Sequence, residues 1–131
     1  VTDMTATTGT LASTSSKVLV QFNFTAKSNN HASFRVVDGS GSNITGFVGD
    51  SGGGQYTTFG NCYNDMGTLG SMQMSCSLLD NVTGSTTART YKLQAWRTSS
   101  GTIWINRLER AGTADDDYRM VASITLMEIG A

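Results

Sequence analysis

Proline is absent from this 131-residue chain, glutamate occurs only at Glu109 and Glu128, histidine only at His31, and cysteine only at Cys62 and Cys76. Each shortage excludes something. Average usage would supply about 5% proline, but its absence does not argue against strands, where proline is confined to edges and bulges. Few glutamates and few other strong helix formers leave little from which to build helices. One histidine without a cysteine or histidine partner at ligand spacing cannot make a zinc site. Two cysteines permit one disulfide or two free thiols and no metal framework, and the compartment would decide between them. No apolar run approaches the ~18 residues of a membrane-spanning helix, and no signal-peptide pattern is present. Charge of one sign is also missing: nine Lys and Arg against ten Asp and Glu give a net charge of −1 and a pI near 5.6. That balance excludes the basic stripe with which nucleic-acid binders neutralise phosphates. The first residue is Val1, which fits a piece of a longer protein.

Threonine, serine, glycine and the β-branched and aromatic residues fill the chain instead, a composition that favours strands joined by polar turns. In "KVLVQFNFTA", Val18, Val20, Phe22, Phe24 and Ala26 share one face, which predicts a half-buried strand over 17–26. "HASFRVVDGSG" predicts another, with Ala32, Phe34 and Val36 in phase and a turn at Asp38-Gly39. "SNITGFVG" (42–49) reads as a short strand, and "SMQMSCSLL" (71–79) alternates Met72, Met74, Cys76 and Leu78 with polar residues. Strands at 88–97 and 102–108 around Ser-Ser-Gly read as a hairpin. The last strand falls at 120–130, and one or two weak ones are expected in the first sixteen residues. The whole predicts a single all-β domain over 1–131, a jelly-roll β-sandwich of about eight to ten antiparallel strands.

The last strand does not alternate cleanly: Met127 and Ile129 sit on one face, Ile124 and Leu126 on the other. A strand packed on one side and wet on the other should be apolar on one face only. Two apolar faces point to a second packing surface, another copy of the same chain. Leu93, Trp96, Met127 and Ile129 are the expected interface residues.

Candidate chemistry is sparse. "VGDSGGG" mimics the surroundings of a protease nucleophile at Ser51, but His31 and Asp38 fall at opposite ends of one strand, too far apart to activate it. Asp115, Asp116 and Asp117 lack an EF-hand spacing, leaving open whether an ion binds there, and read as a solvated loop. Asn23, Asn43 and Asn81 open glycosylation sequons, which a chain so rich in Ser and Thr produces by chance. Glu128, in line with Ile124 and Leu126, either pairs with Arg97 or Arg107 or emerges into solvent. No arrangement of carboxylates suggests hydrolysis, so no enzyme activity and no cofactor are expected. The segment 50–70 carries Tyr56, Phe59, Tyr63 and Asp65 among Gly, Asn and Gln, the composition of adaptable recognition loops, and those four residues are the expected glycan contacts.

The stretch "TYKLQAWRTSSGTIWINRLERAGTADDDYRMVASITLMEIGA", with its Tyr91–Trp96 strand, Ile105-Asn106-Arg107, and Ser123–Ile129 ending in "MEI", resembles the extreme C-termini of tail-fibre and appendage proteins of marine bacteriophages, cyanophages included. "KVLVQFNFTA" is similar to their opening strand; residues 38–85 carry no resemblance. The resemblance implies a tumour-necrosis-factor-like jelly roll at the tip of a longer fibre, assembled as a homotrimer around its terminal strand. It further implies a virion location, a role in attachment to a host-cell surface glycan or receptor, no membrane insertion, and no catalytic residues. The alternatives are a capsid or baseplate decoration protein without a ligand, and a carbohydrate-binding module from a secreted enzyme.

Overall fold

A computed structural model describes residues 4–49, 58–62, 70–81, 83–97, 100–107 and 120–130. The described residues contain no helix. Their strands are β1 (Met4–Thr7), β2 (Lys17–Ser28), β3 (Ala32–Asp38), β4 (Gly60–Cys62), β5 (Met72–Asp80), β6 (Thr90–Arg97), β7 (Ile103–Ile105) and β8 (Ser123–Ile129). All pair antiparallel, in two sheets that close on one core as a β-sandwich. The first sheet has the order β1-β6-β3-β4. In the second, β2 is central: β5 lies along one edge, while β8 and then β7 share the other. Neighbours are mostly not consecutive in sequence, so the chain repeatedly crosses between sheets.

The alternation in β2 decides where the core sits. Val18, Val20, Phe22, Phe24 and Ala26 point inward and meet Ala32, Phe34 and Val36 of β3 with Tyr91 and Leu93 of β6. Phe24 and Phe34 touch edge to face across the sheets, with centroids 5.2 Å apart. Each fully buried aliphatic or aromatic side chain of this kind contributes about 1.5–3 kcal/mol.

Three expectations change. Residues 42–49 form turns rather than a strand, with a single bridge from Val37 to Asn43 and with Gly41 and Gly46 at φ of 88° and 83°. Ile44 and Phe47 supply the apolar pattern all the same, because both turn into the core. The two strands around Ser-Ser-Gly do not form a hairpin: β6 pairs with β3 and β1, β7 pairs with β2, and the connection crosses between sheets. Each of those strands has an inward apolar side, and a sandwich satisfies both by placing them in opposite layers. Finally, β4 lies inside the stretch read as loop, a three-residue pairing of Gly60, Asn61 and Cys62 with Phe34, Ser33 and Ala32.

Candidate functional site

Tyr56, Tyr63 and Asp65 lie outside the described residues, as do Ser51 and Asp115, Asp116 and Asp117. Phe59 is described, and it is a packing residue: its ring meets Phe24 edge-on at 6.3 Å and its amide donates to the Phe34 carbonyl. It is half-buried and ties the residues before β4 to the core.

The four residues expected at a subunit interface separate. Leu93 is 3% exposed and belongs to the core, its side chain enclosed by its own chain, so it has no surface to offer a partner. Trp96 is 38% exposed on the outer face of the first sheet. Met127 (51% exposed) and Ile129 (37%) lie on the outer face of the second, on the opposite side of the sandwich. They have company there. Direct cross-strand pairing places Leu79 of β5 and Met127 of β8 on either side of Leu19 of β2, and Ile129 follows opposite Lys17. Leu79 is 41% exposed. Leu79, Leu19, Met127 and Ile129 therefore make a contiguous apolar row on an outer sheet face, which turns polar at Gln21, Ser77 and Thr125 in the next row.

Buried charge is concentrated elsewhere. Asp80 ends β5 and faces inward; its Oδ2 accepts from the Tyr91 hydroxyl at 2.7 Å and from Arg89 Nη1 at 3.3 Å, while Arg89 Nη2 reaches the Ser16 carbonyl. Burial first, then the hydrogen bond and charge of Asp80, push the Tyr91 hydroxyl well above its ordinary pKa. A tyrosine held neutral against a paired carboxylate is no general base. The cluster ties the end of β5 in one sheet to the start of β6 in the other, beside a shallow cleft of about 330 Å³ lined by Asn43, Ile44, Thr45 and Thr90. Sequence reasoning missed it, although Asp80 continues the phase of Met74, Cys76 and Leu78, and an acid on an apolar face demands a partner.

Glu128 takes neither arginine. It is exposed, and its Oε1 accepts the Ala12 amide at 2.7 Å. Ser16 Oγ, the Ala12 amide and the Ser13 amide together hold its carboxyl below the ordinary range. His31 is exposed and precedes β3, whose far end is Asp38; the Asp38 carboxylate is taken by Ser40 and Ser42, so the pair does not meet. Cys62 and Cys76 are free thiols, each pushed up in pKa by burial. Among the described residues no group of three His, Cys, Asp or Glu could hold a metal.

No protein-family model matches the chain, and no curated protein is similar to it.

Proposed function

We propose that this chain is a non-enzymatic attachment domain at the tip of a phage tail fibre, assembled as a homotrimer that presents a surface-glycan or receptor site in three copies. The observation that carries this reading is the apolar row Leu79–Leu19–Met127–Ile129 on the outer face of the β-sandwich. A monomer gains nothing by presenting the apolar side chains of Leu79, Met127 and Ile129 to water around a half-buried Leu19, whereas burial against sister chains stabilises an assembly. The terminal strand β8 supplies two of the four, as the resemblance of its sequence to phage tail-fibre ends leads one to expect. The crossing connections between the sheets suit a jelly roll. Three weak sites on one axis would bind a cell surface with an avidity that no single site provides.

The test is attachment of the fluorescently labelled protein to a panel of marine cyanobacterial cells, with Met127→Lys as the assembly-defective comparison. Saturable attachment to some strains, lost in the variant while a single isolated site still binds, is the expected result. Equal attachment by the wild type and a monomeric variant removes multivalency from the reading, and attachment to no cell removes adhesion.

A further inference from the structure

The other outer face differs in chemistry from the apolar row. Register places Asn61 of β4, Ser33 of β3 and Trp96 of β6 side by side, and the next outward-facing row holds Arg35 opposite Gln94. Arg35 is fixed by two neutral amides: its Nε donates to Gln94 Oε1 at 3.0 Å and its Nη1 to Asn43 Oδ1 at 2.9 Å. Among the described residues no carboxylate pairs with Arg35. Lys92 adds a second cation two residues before Gln94, its Nζ on the Gly39 carbonyl. Asp38, at the end of β3, is engaged by Ser40 and Ser42. The turn after β3 folds against this face, with Gly41 in the left-handed region beside Gln94, and forms one wall. In a chain of net charge −1, the outer face of β3 and β6 is thus a cationic shelf with an exposed indole at one end.

We propose that this shelf binds a carboxylated sugar residue of an acidic polysaccharide, the indole of Trp96 lying against the pyranose ring and the Arg35 guanidinium holding the carboxylate. The inference deepens the adhesion reading and rests on it. Aromatic rings take the apolar face of a sugar, and a planar guanidinium matches a carboxylate with paired N–H donors. Gln94 and Asn43 present Arg35 in a fixed pose, so little side-chain freedom is lost when the anion arrives. Successive same-face rows of a strand are ~7 Å apart, comparable with the span from a pyranose ring to its carboxylate's partner. Ser33 and Asn61 provide hydroxyl and amide groups for the sugar hydroxyls. A neutral glycan leaves the cation unanswered, and a phosphate polyanion makes no use of the indole.

The experiment is calorimetric titration of the intact protein with oligogalacturonate, oligoglucuronate and sialyl-lactose, each beside its methyl ester, with cell attachment measured in parallel. At least one acid is expected to bind about tenfold or more tightly than its ester, a difference of about 1.4 kcal/mol. Trp96→Ala should weaken that acid by at least as much. Arg35→Gln should weaken the acid and leave the ester unchanged, so that discrimination collapses. The ester comparison uses the wild-type protein and does not depend on a variant folding. If no acid outbinds its ester while cells are still attached, the shelf assignment is overturned and adhesion stands. If cells are not attached either, both fail.

Discussion

At the scale of single residues, the most consequential group is the buried carboxylate of Asp80. Its phase on β5 places it among apolar neighbours, where an unpaired charge would be strongly destabilising. Tyr91 and Arg89 answer it from the other sheet. Tyr91→Phe keeps the ring stacked on Phe47 and removes only the hydroxyl donor. We expect a loss of about 1–3 kcal/mol, read as a lower urea midpoint with an unchanged slope; a midpoint within experimental scatter of wild type would show that Asp80 is satisfied without it. The thiols make a second test. Cys62 is buried and both thiol pKa values are raised by burial, so little reactive thiolate is available. Ellman's reagent should react slowly with the native protein and release two equivalents once it is unfolded without reductant. None from the unfolded protein would mean a disulfide.

At the scale of elements, legibility followed period. The stretches of clean alternation in β2, β3, β5 and β6 mark their strands in the sequence, because one face of each is core and the other is not. What could not be read is what depends on the partner. Nothing within 88–108 says that β6 and β7 belong to different sheets, since either arrangement buries Tyr91, Leu93 and Trp104. The three-residue β4 has no period at all; it is held by pairing with β3, with the Met74 methyl lying close over Gly60. The apolar residues of 42–49 were legible as core but not as turn. Of the candidate site, the exposed Met127 and Ile129 could be read from β8, whereas Leu19 and Leu79 join them only through register.

The contact between Glu128 on β8 and the 11–16 loop gives the element scale its pH dependence. Glu128 and Asp38 have folded pKa values held below the ordinary range, Asp38 chiefly by the Ser40 hydroxyl. A depressed carboxylate contributes stability that is present above its unfolded pKa of about 4 and lost as pH falls through the folded value. The urea midpoint should therefore fall between pH 5 and pH 3, and Glu128→Gln should flatten part of that fall. Curves that stay parallel for wild type and variant would show that the Ala12 contact does not persist in solution.

At the scale of the whole molecule, the sandwich has two unlike outer faces. One ends in an apolar row and suits sister chains; the other is cationic, amide-rich and carries Trp96, and suits a ligand. Under the proposed function, their placement on opposite sides would keep the assembly surface and the ligand surface apart. Core and assembly should separate as well. Phe24→Ala removes a ring packed against Phe34 and Phe59 and should cost about 3–5 kcal/mol, seen by thermal or urea unfolding of the whole domain. An exposed change such as Leu79→Asp should alter the mass in solution while leaving the far-ultraviolet strand spectrum intact.

The most direct measurement is the mass of the intact chain in solution, by sedimentation equilibrium across a range of concentrations. We expect three times 13.9 kDa for the wild type and 13.9 kDa for Met127→Lys, with both folded. A wild-type protein that stays at 13.9 kDa at every concentration, with Leu79, Met127 and Ile129 open to water, would contradict this.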